Sequence, residues 1–185
     1  MTERSHRLFF ALWPDTAMQA ALEGATRAIV QASDGRAVPA ANFHLTLAFL
    51  GSVPESRIEA VRAVAAQLAG TFHLRDEPID LALDHAEHWR KSEILCAVAS
   101  ATPPIAVSLA EQLKRALLAA GFAPDLKPFR AHATFARKVR RVTCELDMFP
   151  VRWTFRDFRL IESRTDAAGS IYSAREIWVL DESPR

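Results

Sequence analysis

Glycine is scarce in this chain, six in 185 residues, and none builds the glycine-rich loop that cradles nucleotide phosphates. No G-x-S-x-G nucleophile motif occurs either. The two cysteines, Cys96 and Cys144, lie far apart and form neither a C-x-x-C pair nor a disulfide framework. Cys96 sits in an apolar run and reads as a small buried hydrophobe. No apolar run is long enough to span a bilayer. Arg4, His6 and Arg7 lead directly into a short strand-like run, without a signal-peptide pattern. The expectation is a cytoplasmic protein with no membrane association. An excess of one charge is also missing: the net charge is +1 and the sequence pI about 7.9, which gives no global electrostatic case for a polyanionic partner. The basic residues do cluster, at Arg130, Arg137, Lys138, Arg140 and Arg141. Such a run reads first as a solvated strand end or loop, and any nucleic-acid contact there would be local.

Half of the residues are hydrophobic and about a quarter charged, the composition of an ordinary globular protein. The length suits one domain, or two small lobes sharing a core. Arg7 to Trp13 is short, apolar and stopped by Pro14, which predicts a buried strand. Asp15 and Thr16 can cap a helix running to about Gln31, with Met18, Leu22 and Ile29 on one side. Ser33-Asp34-Gly35 breaks it. Phe43 to Leu50 reads as a strand, and Gly51 to Ser56 as a turn. Ile58, Val61, Ala65 and Leu68 recur at helical spacing up to Gly70.

Ile79 to Leu83 and Glu93 to Ala99 read as strands, with a polar loop from Asp84 to Ser92 between them. Pro103 and Pro104 open a third helix, marked by Leu109, Leu113 and Leu117 and closed by Gly121. Val151 to Ser163 reads as a strand with a break, Thr165 to Ser170 as a turn, and Ile171 to Leu180 as a final strand. The mixture predicts an α+β fold of mostly antiparallel sheets with helices packed outside.

Two triplets carry the chemistry. In Phe43-His44-Leu45-Thr46-Leu47-Ala48-Phe49 the large apolar residues alternate, so Phe43, Leu45, Leu47 and Phe49 should face a core and His44 and Thr46 the other side. Ala131-His132-Ala133-Thr134-Phe135 repeats the H-x-T spacing. Each triplet follows a helix and a proline-containing loop, a weak internal repeat at half the chain length. Either triplet alone reads first as a half-buried strand histidine bonded to backbone. Together they can place two imidazoles in one cleft. With a reference pKa near 6.5, one imidazole can be charged while the other is neutral. One then takes a proton from an attacking water and the other gives one to a leaving oxygen, as an in-line displacement at phosphorus requires. Threonine hydroxyls and an arginine can hold the phosphate oxygens.

The flanks of these triplets, HLTLAFLG (His44 to Gly51) and HATFARK (His132 to Lys138), together with RLFFALWP at Arg7 to Pro14, resemble the two-histidine (2H) phosphoesterases. Within them the similarity is to the LigT/ThpR-like RNA 2′,3′-cyclic phosphodiesterases. It extends over nearly the whole chain and includes His88-Trp89, the Leu109–Gly121 helix and the Phe158-to-Leu180 segment. The resemblance implies one domain over residues 1–185, made of two related lobes in a pseudo-two-fold arrangement about a central cleft. It implies hydrolysis of an RNA-terminal 2′,3′-cyclic phosphodiester to a 2′-phosphomonoester, with no metal and no cofactor. By the family pattern His44 is the proton donor and His132 the proton acceptor, while Thr46, Thr134 and Arg137 bind substrate. Two departures stand out. Ala131 occupies the place of the usual proline, and HATF that of the commoner HLTL or HVTL. Strict alternation from His132 also puts Arg137 on the wrong face.

The same site run in reverse, with a 5′-hydroxyl strand as nucleophile, would join RNA through 2′–5′ links. Other cyclic phosphodiesters, including small cyclic nucleotides, are alternative substrates. A non-catalytic nucleotide- or RNA-binding module is the alternative of another class, and it would have no use for an acid–base pair. No obligatory protein partner is expected, and the chain should be a monomer. Asp84, His85, Glu87 and His88 match no metal-ligand spacing and read as a solvated turn. Trp89 suits either a base-stacking residue at the cleft rim or a cover over the core. His6 and His73 read as surface residues.

Overall fold

The computed structural model describes residues 3–74, 77–165 and 170–180. Within them two four-stranded antiparallel sheets and a two-stranded ribbon carry three helices. The first sheet contains β1 (Ser5–Leu12), β3 (Leu45–Pro54), β9 (Asp157–Thr165) and β10 (Ser170–Val179), in the order β10-β9-β1-β3. The second contains β2 (Arg36–Ala37), β5 (His85–Trp89), β6 (Ile94–Val98) and β7 (His132–Arg137), in the order β2-β7-β6-β5. β4 (Ile79–Leu83) pairs with β8 (Val151–Phe155). This ribbon ties the sheets together. β4 leads into β5 of the second sheet at one end, and β8 leads into β9 of the first sheet at the other.

The halves share a plan. In one, β1, helix α1 (Thr16–Gln31) and β3 form a strand, a helix and an antiparallel neighbour strand; in the other, β6, helix α3 (Pro104–Ala119) and β7 do the same. β2 lies beside β7 in the second sheet, and a single 3-10 turn (Ala40–Asn42) separates it from β3 in the first. That connection brings the two H-x-T strands side by side.

Each helix forms where its apolar spacing allows one buried stripe. Asp15 caps α1 by accepting from the Met18 N–H at 2.8 Å, and Gln19, Leu22, Thr26 and Ile29 form its inner face. α2 (Ile58–Ala69) buries Val61, Ala65 and Leu68, and α3 buries Ala106, Leu109, Leu113 and Leu117. The inner faces meet Leu8, Phe10, Leu12, Leu45, Leu47, Phe135 and Trp153 in one continuous core. Burial of such side chains contributes on the order of 1.5–3 kcal/mol each. The other face of the sheets is left for the cleft.

Four expectations are corrected. His85 to Trp89 is a strand, not a loop: it pairs with β6 from His85↔Val98 to Trp89↔Ile94. The ladder hydrogen bonds compensate for its polar sequence, and small Ala86 turns toward the core. β3 continues through Gly51 to Pro54, because Gly51, at φ 71°, turns left-handed within the strand where a side chain would strain it. His6 is buried, not at the surface, with Nδ1 2.8 Å from Glu162 Oε1 and Nε2 against Glu55. Burial alone would raise the Glu162 pKa, but hydrogen bonds from His6 and Arg164 and the charges of Arg175 and Arg164 pull it down to about 2. Phe49 faces the cleft and not the core, for the reason given below. His73 is exposed as expected, Cys96 is fully buried, and Arg156 marks the break between β8 and β9. The turn expected at Thr165 to Ser170 has its centre outside the described residues.

Candidate active site

Both H-x-T strands carry a β-bulge one residue after the threonine. On β3, Ala11 pairs with Thr46 and Phe10 with Ala48, so Leu47 is the extra residue. On β7, Cys96 pairs with Thr134 and Leu95 with Ala136, so Phe135 is the extra residue. A bulge sends two successive side chains to one face and shifts the alternation beyond it by one. Leu47 and Ala48 are accordingly both buried, as are Phe135 and Ala136. The next residues, Phe49 and Arg137, therefore come round to the face that carries the histidines and threonines. Phe49 and Arg137 are thus counterparts, one apolar and one cationic, each five residues after its histidine.

His44 and His132 are anchored identically. His44 Nδ1 lies 2.7 Å from the Asn42 carbonyl oxygen, and His132 Nδ1 lies 2.8 Å from that of Arg130. A carbonyl only accepts, so each Nδ1 carries the hydrogen and each Nε2 is the titrating nitrogen. Among the described residues neither Nε2 has a hydrogen-bond partner, and both imidazoles are left to act on a bound molecule.

The surroundings of the two rings differ. His44 stacks on Trp13 with ring centroids 5.2 Å apart and planes 1° from parallel. Phe9 lies 4.9 Å away, and Tyr172 meets the ring edge-on at 5.3 Å. Removal from water by this aromatic enclosure, with the charges of Arg137 and His132 adding to it, pulls the His44 pKa down to about 4 against the hydrogen bond to Asn42. Among the described residues His132 meets one aromatic ring, Trp89, at 4.6 Å and 46°. Its pKa is also lowered, first by burial and then by Arg130, while the Arg130 carbonyl and Glu87 oppose the shift.

Two hollows that share Thr46 and Phe49 in their walls make up the cleft. One, of about 270 Å³, is lined by His44, Thr46, Arg137, Arg7, Ser163 and Tyr172 among others. The other, of about 460 Å³, is lined by His132, Trp89, Arg130, Lys114, Lys127 and, again, Thr46. Thr46 stands between the two histidines. Thr134 is half-buried on the same face of β7, its Oγ1 3.6 Å from Cys96 Sγ. Burial pushes the Cys96 thiol up to about 12, so it stays protonated. Its S–H can serve the Thr134 oxygen and leave the threonine proton for a ligand. A larger hollow of about 850 Å³ lies apart, between β5 and the segment after β7, and holds neither histidine.

His44, Thr46 and Arg137 share one hollow, with His132 in the next. Of the five clustered basic residues, Arg130 and Arg137 face the cleft, whereas Arg140 pairs with Glu93 at 3.6 Å. Among the described residues, the Asp84–His88 side chains belong to no group of three that converges as ion ligands would. Sequence reasoning missed Trp13, Phe9 and Tyr172 as the enclosure of His44. For two of them the available signal was position, since Phe9 on β1 and Trp13 just beyond it alternate with Leu8, Phe10 and Leu12 and so lie on the opposite face.

The family model described as the 2′-5′ RNA ligase superfamily matches residues 14–167. The chain is 28% identical over 149 residues to the RNA 2′,3′-cyclic phosphodiesterase of Escherichia coli (strain K12), covering 80% of this chain and 81% of that one. It is 31% identical over 100 residues to the RNA 2′,3′-cyclic phosphodiesterase of Bacillus subtilis (strain 168), covering 52% of each. Its fold superposes on the crystal structure of Escherichia coli LigT complexed with 3′-AMP with a TM-score of 0.84, at 26% identity, over 97% of this chain and 100% of the other.

Proposed function

The chain belongs to the 2′-5′ RNA ligase superfamily, and from that membership we propose that it is an RNA 2′,3′-cyclic phosphodiesterase that opens the cyclic phosphate at an RNA end to a 2′-phosphomonoester. The observation that carries this reading is the pair of imidazoles in one cleft. Each is tied through Nδ1 to the carbonyl two residues before it, and each leaves Nε2 for the substrate. The names of the Escherichia coli and Bacillus subtilis relatives support the substrate class.

In the proposed reaction, the cyclic phosphate lies across Thr46, between the two hollows. His132, neutral, accepts a proton at Nε2 from a water whose oxygen attacks phosphorus. The bond from phosphorus to the 3′ oxygen breaks, and His44, charged, donates its Nε2 proton to that oxygen. Thr46 and Thr134 donate hydroxyl hydrogens to the non-bridging oxygens, and Arg137 offsets their charge. His44 ends neutral and His132 charged, and exchange with solvent resets both. Acid, base and phosphate donors all come from side chains, so the scheme assigns no step to a metal.

A pKa of about 4 leaves His44 mostly neutral in the empty cleft near pH 7. A phosphate anion beside Nε2 favours the imidazolium and reverses that shift, so the substrate helps to charge its own acid. The two sheets act as related lobes of one domain, and the protein works as a cytoplasmic monomer. Among the described residues no helix is long and apolar enough to cross a membrane.

The test is incubation with an oligoribonucleotide ending in a 2′,3′-cyclic phosphate, in excess EDTA, with product analysis. Conversion to a 2′-phosphate is expected. Retention of the cyclic end by a protein that binds the oligonucleotide would refute hydrolysis and favour a binding module. A 2′–5′-linked product from an added 5′-hydroxyl strand would make the site a ligase.

A further inference from the structure

His132 sits within a closed circuit of contacts that, among the described residues, has no counterpart around His44. Its Nδ1–H donates to the Arg130 carbonyl at 2.8 Å. The Arg130 guanidinium turns back to pair with Glu87, and it lies 5.5 Å from the centre of the Trp89 ring. Trp89 Nε1–H donates to Glu87 Oε2 at 2.6 Å. The indole closes the loop against His132 at 4.6 Å. A further partner reaches the same carboxylate: His85 Nε2 is 3.1 Å from Glu87 Oε1, and His85 Nδ1 is 2.7 Å from Asp84 Oδ1. A histidine placed between two carboxylates donates from both nitrogens, and so carries charge. The Asp84 and Glu87 hydrogen bonds raise its pKa accordingly, against burial.

We propose that Glu87 is a positioning residue for the His132 half of the site: its single carboxylate holds the Trp89 indole and the Arg130 guanidinium in place against the imidazole. This rests on the reading of His132 as the reacting base. The strand pairing explains why the residue can do this. Glu87 is opposite Cys96, which is opposite Thr134, so all three stand on the cleft face in one row across β5, β6 and β7. Trp89, two residues on, shares that face. Without the carboxylate the indole N–H and the guanidinium lose their common acceptor, and neither is tethered next to His132. The polar sequence of β5 then has a purpose: His85, Glu87 and Trp89 alternate onto the cleft side as one connected set.

The charged groups facing His132 are Glu87 from β5, Arg130 from its own approach loop, His44 from just before β3, and Lys114, Asp125 and Lys127 around the hollow that His132 lines. Of these, Glu87 is the one whose charge favours protonated His132 in the empty cleft. Replacing it by glutamine keeps the shape and removes that support.

The experiment follows the ring protons of His132 and His44 by NMR against pH in the wild type, Glu87→Gln and Trp89→Phe, with steady-state kinetics on the cyclic-phosphate oligoribonucleotide. Glu87→Gln is expected to move the His132 titration to lower pH and leave that of His44 in place. It should lower kcat roughly tenfold, less than the hundredfold that an ångström of misplacement can cost, with KM within about twofold. Trp89→Phe keeps an aromatic ring but loses the N–H, and should lower kcat by a smaller factor in the same direction. A folded Glu87→Gln with unchanged His132 titration and unchanged kcat overturns the assignment. Should that variant fail to fold, an unchanged kcat in Trp89→Phe overturns it instead. If the wild type hydrolyses no cyclic phosphate, the functional reading fails by itself. The titration, which needs no substrate, still decides whether Glu87 governs His132.

Discussion

The two halves of the cleft solve one problem in two ways. Each has a strand, a helix and an H-x-T strand with a bulge after the threonine, and each ties its histidine to the carbonyl two residues earlier. Around that common frame the surroundings diverge. His44 is enclosed by Trp13, Phe9 and Tyr172, and among the described residues no carboxylate favours its charge. His132 is set against a polar circuit of Trp89, Glu87 and Arg130. Even the residue that each bulge brings to the cleft differs, Phe49 in one half and Arg137 in the other. A repeated motif thus fixes where two imidazoles are placed, and the neighbours decide how each titrates. That division suits a reaction needing one acid and one base from the same residue type.

The largest test of this comparison removes each imidazole in turn. His44→Ala and His132→Ala should each lower kcat by at least about a hundredfold, the usual worth of a positioned acid or base. In residual activity measured against pH, each variant should lose a different limb. Loss of the same limb in both would mean that the two residues do not divide the roles.

Arg137→Met comes next. It removes a charge from the hollow proposed to hold the phosphate, worth about 1.5–3 kcal/mol in a charge-assisted bond, and should reduce kcat/KM by about tenfold or more. Because the Arg137 charge depresses His44, the same variant should move the His44 titration upward. A downward or absent movement would show that the guanidinium does not reach His44.

The smallest expected effect is that of Trp13→Leu. Opening the stacked face of His44 to water should raise its titration midpoint from about 4 by about one pH unit, leaving His132 unmoved. An equal movement of both histidines would argue that a shared field, and not local enclosure, sets the difference.

The pairing of His44 with His132 in one cleft was legible in the sequence because H-x-T occurs twice at strand-like positions, each following a helix and a proline-containing loop. The helices were legible too, since Asp15, Pro104 and Gly121 punctuate them. The bulges were not. Thr46-Leu47-Ala48 and Thr134-Phe135-Ala136 carry no glycine or proline to announce an irregular strand, so strict alternation sent Phe49 to the core and Arg137 away from the cleft. β5 was hidden for a different reason. His85-Ala86-Glu87-His88-Trp89 has no apolar alternation, because its outward face is polar by use and its inward face offers only alanine and a histidine bonded to the Val139 carbonyl. His6 read as a surface residue because its partners, Glu55 and Glu162, lie 49 and 156 residues away. Long-range ion pairs leave no local pattern.

The most direct test of the two-histidine account is the pH dependence of kcat/KM on an oligoribonucleotide ending in a 2′,3′-cyclic phosphate, in excess EDTA. This parameter reports the titration of the free enzyme. With both histidines held below their ordinary range, and His44 near 4, the profile should be a bell on the acid side of neutrality whose lower limb falls near pH 4. A profile that is flat across this range, or that rises steadily into alkaline pH, would contradict acid–base catalysis by His44 and His132.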